Sequence, residues 1–122
     1  MPDGFDLEDV YPSQERLCER VGAVFAPCIP GSIIGISKNF GLDVVPKHGL
    51  RHPPHLQTNG WYLWAGEYSE DPDFFEPVCF ERLVDIHPPA LEFLGLGPGW
   101  RFLAHGEHHD VWYDETLINP GG

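Results

Sequence analysis

Two groups of histidines are the side chains here best suited to metal chemistry. His48, His52 and His55 lie in "HGLRHPPH", and His105, His108 and His109 lie in "HGEHHD", with Asp110 closing the second group. Neutral imidazoles and carboxylates are zinc ligands, so the two groups meeting in space would make a site. Their spacing argues against one. An HxxxH pair shares a face only on a helix, and Pro53 and Pro54 forbid a helix there. His108 and His109 are adjacent, so on a strand they point to opposite faces. Surface-loop histidines are the simpler reading, and neither a metal nor another cofactor is expected.

Carboxylates come next. Glu67, Glu70, Asp71, Asp73 and Glu76 crowd one acidic turn, and Asp110, Asp114 and Glu115 follow near the end. A glycosidase-type pair needs two carboxyls about 5–10 Å apart in a cleft, whereas a crowded turn reads as a solvated loop. "SEDPDFFEP" lacks the glycine of a calcium loop and carries proline where that loop must bend. No serine sits in GxSxG or SxxK. Cys79 lies between Val78 and Phe80, apolar flanks that predict a buried, inert thiol with a raised pKa. The glycines of "GLGPG" follow a predicted helix, whereas a phosphate loop precedes one. No residue is assigned a catalytic role.

The elements that would position these groups can be read from periodicity. Ser13 is placed to cap a helix whose apolar residues Leu17, Cys18, Val21, Val24 and Phe25 recur three and four apart, with Pro27 and Pro30 as the stop. "SIIGISKNF", residues 32–40, reads as a strand apolar on both faces, with Gly35 admitting a close neighbour. Residues 42–58 start as a short strand and become a proline-interrupted loop. "GWYLWAG" is a second strong strand, 69–77 an acidic turn, and 78–86 ambiguous between strand and helix. "HPPALEFLGLGPGW" is a short helix with proline at its first positions and glycine at its end. Residues 100–104 and 109–113 form a hairpin. Residues 1–11 are expected to be a loose acidic segment. The pattern predicts a single α+β domain over 1–122, with about five mainly antiparallel strands and helices packed on one face.

The aromatic strand raises the sharper question. From Gly60 to Ala65, Trp61 and Leu63 face one way, while Tyr62 and Trp64 face the other. One face must pack on helices. The other is either covered core or part of a partner surface, to which tryptophan and tyrosine are suited by large apolar area with a polar tip.

Charge limits the choice of partner. The chain of 122 residues has 7 Lys+Arg against 19 Asp+Glu, a net charge of −12. Such a surface repels phosphate backbones, so no nucleic-acid partner is expected, and it draws in basic proteins. "MPDGFDLEDV" has neither the basic nor the apolar region of a signal peptide, and no apolar run approaches the roughly 20 residues that span a bilayer. Three cysteines without metal-ligand or CxxC spacing suit reduced thiols, with Cys18 and Cys79 as small core residues, and a cytoplasmic location.

Four ordered blocks, "NGWYLWAGE", "DPDFFEPV", "LGLGPGWRFL" and "DVWYDETLI", resemble bacterial immunity proteins of polymorphic-toxin systems over about residues 48–118. That resemblance implies a small non-catalytic protein without an obligatory cofactor, which binds and neutralises a cognate toxin. On this reading Glu67, Glu70, Asp71, Asp73 and Glu76 steer a basic toxin, and Tyr62, Trp64 and Trp112 anchor contact. Two other readings stand beside it: a metal-dependent enzyme using the histidine groups, and a structural domain that forms a homodimer through a sheet edge.

Overall fold

Six segments pair into one sheet: β1 (Ile33–Ser37), β2 (Lys47–Arg51), β3 (Thr58–Ala65), β4 (Phe75–Cys79), β5 (Trp100–His105) and β6 (His108–Tyr113). The computed structural model describes residues 7–119. The strand order is β4-β1-β3-β2-β5-β6, and β1 with β3 is the parallel pair in an otherwise antiparallel sheet. This is the predicted α+β architecture with one strand more than expected.

Helices cover one face. α1 (Leu7–Val21), the single turn α2 (Leu83–Ile86) and the 3₁₀ segment Pro88–Phe93 contribute Leu17, Cys18, Leu83, Ala90, Leu91 and Phe93 to a core shared with Ile34, Ile36, Trp61, Leu63, Ala65 and Phe102. The strand residues in that set follow the two-residue period: Ile36 pairs with Leu63, and Phe102 with Gly49. Phe93 stacks on Phe102 at 4.1 Å. Phe102 reaches that position by lying across β2 where Gly49 has no side chain, since a Cβ there would stand 2.1 Å from the ring.

Three elements differ from the sequence expectation. α1 begins at Leu7, within the segment expected to be loose, and runs through Pro12. Its inward positions are Val10, Gln14, Leu17, Cys18 and Val21, a helical stripe that includes one polar residue. Gln14 is accommodated there because its Nε2 donates to Leu91 O at 2.8 Å. Ser13 is therefore mid-helix and donates to Val10 O instead of capping. The helix also stops at Val21, short of Val24 and Phe25.

β2 lies in the part of 42–58 expected to be loop, whereas the short strand expected at the start of that segment is turn. Its inward side chains are Lys47 and Arg51, both buried. Lys47 Nζ donates to Phe40 O and Leu42 O at 2.6 and 2.7 Å. Arg51 donates to Asn59 O through Nε, and to Ala26 O and Leu96 O through Nη1, at 2.7–2.8 Å. β4 occupies the end of the expected acidic turn, and its Pro77 is tolerated because β4 is an edge strand. Cys79 ends that strand exposed, so the burial from which an inert thiol was inferred is absent, whereas Cys18 and Cys28 are buried.

Arg51→Met should lower the unfolding free energy in urea by about 3 kcal/mol, because three carbonyls, two of them fully buried, lose a charged donor at once. A loss below about 1 kcal/mol would show that those carbonyls find other partners. Thiol titration supplies a second check. Cys79 should react quickly in the native protein, and Cys18 and Cys28 only on unfolding, since burial raises both of their pKa values, that of Cys28 to about 11.

Candidate docking face of the sheet

The face away from the helices carries Phe75 from β4, Tyr62 and Trp64 from β3, His48 and Leu50 from β2, Leu103 and Arg101 from β5, and Asp110 and Trp112 from β6. No helix packs on it among the described residues. Tyr62 and Trp64 project there because strand alternation sends Trp61, Leu63 and Ala65 into the core. Gly35, beside Tyr62 on β1, leaves room for the ring to lie across that strand: a Cβ would come within 2.7 Å of Tyr62 Cδ1. This is the close approach that the glycine in "SIIGISKNF" predicts.

The rings form a connected cluster. Tyr62 meets Phe75 edge-on at 5.2 Å and His52 at 5.7 Å. Trp64 stacks on His48 at 4.9 Å and meets Tyr68 at 5.4 Å, and Tyr68 meets Phe74 at 5.6 Å. Leu50, His52, Tyr62, Trp64, Tyr68 and Phe75 line a shallow basin of about 270 Å³. Trp64 is only 5% exposed under these neighbours, whereas Tyr68 stands out into solvent. Tyr68 escaped notice in the sequence because it lies one residue past the turn that ends β3, outside the strand period.

The acidic residues frame this basin on one side. Glu67, Glu70, Asp71 and Asp73 are exposed in the loop from β3 to β4, the same loop that carries Tyr68 and Phe74. The loop is shaped by its own side chains: Asp71 Oδ1 accepts from Asp73 N at 2.8 Å, and Ser69 Oγ accepts from Asp71 N at 3.1 Å. Glu76 lies on β4 in register with Ile36, which places it on the other face, near Lys38 at 4.0 Å. Both partners of that pair are exposed, so it adds little to stability.

Trp112 lies across the sheet, 39% exposed, with the Arg101 guanidinium 5.4 Å from its ring. Arg101 Nη1 donates to Asp114 Oδ2 at 3.1 Å. Hydrogen bonds from Thr116 and then Arg101 hold the Asp114 carboxyl below its ordinary pKa.

The histidine groups do not converge. His48 is in the stack with Trp64, His52 rests against Tyr62, and His55 is exposed in the turn before β3. At the far edge His108 contacts Asp110 at 3.1 Å, and His109 turns to the helix side against Phe93. Among the described residues no three His, Cys, Asp or Glu side chains are grouped to hold a metal ion. Among those residues, too, no helix is long and apolar enough to cross a membrane.

A family model described as the Imm33-like domain covers residues 13–114. No curated protein and no solved structure matches the chain.

Two histidines make stability sensitive to mild acid, His48 on this face and His87 on the helix side against Phe40. Burial lowers the pKa of His48 below 6.5, with Arg101 adding repulsion, and burial lowers that of His87, with Lys47 adding repulsion. Both imidazoles bind a proton less readily folded than unfolded. Stability from them is therefore complete above pH 6.5 and lost as pH falls through that value toward their folded pKa values. Urea midpoints should drop between neutral pH and the onset of carboxylate titration. His48→Gln with His87→Gln should flatten that slope, and an unchanged slope in the double variant would exclude these two as its source.

Proposed function

The chain belongs to the Imm33-like family, an immunity-protein-like family, and from that premise we propose that it binds a cognate bacterial toxin and neutralises it by occlusion, with no catalysis of its own. The observation that carries the reading to a surface is the uncovered sheet face. An aromatic basin built by Tyr62, Trp64, Tyr68 and Phe75 lies beside a loop bearing Glu67, Glu70, Asp71 and Asp73. Apolar rings flanked by charge are the usual anatomy of a contact centre with a steering rim.

The parts divide the work. Trp64 forms the floor of the basin and keeps its shape, while Tyr68 and Trp112 offer area to a partner. The acidic loop accelerates encounter with a basic toxin surface, which suits the net charge of −12. Glu76, on the opposite side of its strand, contributes to the long-range field and not to contact. A toxin held across this face would have its own active surface covered, which requires no chemical step from the inhibitor.

The direct test is co-expression with the product of the adjacent gene, scored by co-purification and by survival of cells making that product. Capture together with protection supports the reading, and neither capture nor protection overturns it. Where a complex forms, Glu67→Lys, Glu70→Lys and Asp73→Lys together should slow association about tenfold and leave dissociation nearly unchanged. Tyr68→Ala and Trp112→Ala should act the other way, each speeding dissociation by about tenfold.

A further inference from the structure

At the end of the sheet where β1 and β3 begin, the turn before β1 and the hairpin before β3 enclose a pocket of about 270 Å³. Ile29, Pro30, Ser32, Arg51, Pro54 and Leu56 are among the residues that line it, and it shares no lining residue with the aromatic basin.

Arg51 is 4% exposed, and its guanidinium meets only neutral acceptors, the carbonyls of Asn59, Ala26 and Leu96. Among the described residues no carboxylate stands within ion-pair distance of it, and Nη2 donates to no protein acceptor. Nη2 is nevertheless not among the sealed, unsatisfied nitrogens, so it retains access to solvent. The ionisable group nearest in influence is Cys28, whose thiol has its pKa raised by burial to about 11 and is neutral at ordinary pH. Carbonyl dipoles satisfy donors but do not cancel a full charge.

The rim gives an independent sign. Leu56 and Ile29 are 91% and 75% exposed, and Leu56 sits at φ 57° in the left-handed region. A leucine pays a steric cost there that glycine or asparagine avoids, and one facing water returns nothing to the fold. No acidic residue is among those lining the pocket, although the chain carries 19, and the carboxylate at its rim, that of Glu81, is engaged by the Gly31 N–H at 2.9 Å.

We propose that this pocket binds a carboxylate borne on a small aliphatic body, with Arg51 Nη2 taking the charge and Leu56, Ile29, Pro30 and Pro54 covering the apolar part. Its volume lies just below the roughly 300–1,000 Å³ of sites for drug-sized ligands, which restricts the occupant to something near one amino-acid residue. The C-terminal residue of a polypeptide and a free branched-chain carboxylate present the same group. The site is separate from toxin docking and stands or falls without it.

The test is amide NMR titration of the intact protein with N-acetyl-leucine, N-acetyl-leucinamide and 4-methylpentanoate. N-acetyl-leucine should shift resonances of residues 29–32 and 56–59 saturably at millimolar concentration, and the amide should bind at least about tenfold more weakly. Arg51 is left intact because its carbonyl contacts hold the fold. Leu56→Gly, which accepts the left-handed backbone, should weaken N-acetyl-leucine at least about threefold without lowering the urea midpoint. Equal affinity for 4-methylpentanoate supports a free carboxylate as the ligand, and weaker affinity supports a chain terminus. Non-saturable shifts, equal binding of acid and amide, shifts confined to other residues, or an unaltered Leu56→Gly affinity would each overturn the proposal.

Discussion

A single buried guanidinium organises this fold. Arg51 closes β2 and ties down the segment after α1 at Ala26, the start of β3 at Asn59, and the turn after Phe93 at Leu96. Its own carbonyl accepts from Gly99 N at 2.7 Å, which fixes the approach to β5. Three stretches, at Ala26, Asn59 and Leu96–Gly99, are thus fastened to one residue, over the face of Trp61. The desolvation cost is considerable, and burial lowers the pKa of Arg51 and of Lys47 alike. What offsets it is directional hydrogen bonding to carbonyls that would themselves be unsatisfied in the interior.

That arrangement frees the opposite side of the sheet. With the irregular segments anchored on the helix side, the face bearing Tyr62, Trp64, His48 and Trp112 is covered only over Trp64, by Tyr68 of the loop before β4. Strand alternation does the sorting: in β3, neighbouring residues are assigned in turn to core and to surface.

Legibility in the sequence followed the chemistry of each strand. β3 was legible from its run of strand-favouring aromatic residues, and β5 and β6 as a hairpin that pairs His105 with His108 around the expected turn. β2 was not, because its inward positions read Lys-Gly-Arg, the inverse of the pattern that marks a half-buried strand. Only knowledge that carbonyls wait above those cations would have revealed it. β4 was hidden by Pro77 and by the carboxylates before it, and the first turns of α1 by Pro12 and the inward Gln14. On the aromatic face, the shared side of Tyr62 and Trp64 was visible from alternation, whereas the joining of Phe75 to them depends on β4 lying next to β1, a long-range pairing with no local signature.

The order of strands also dictates a timetable. β2 must pair with β5, so Leu50 has to find Arg101 across half the chain, after β3 and β4 have been made and placed. Closing so long a loop is entropically costly and slow. Until it closes, Gly49 leaves an empty groove where Phe102 belongs, and one side of β2 shows bare amides and carbonyls. A nascent chain halted before Phe102 would present that half-built edge of β2 to its neighbours, a state open to clumping.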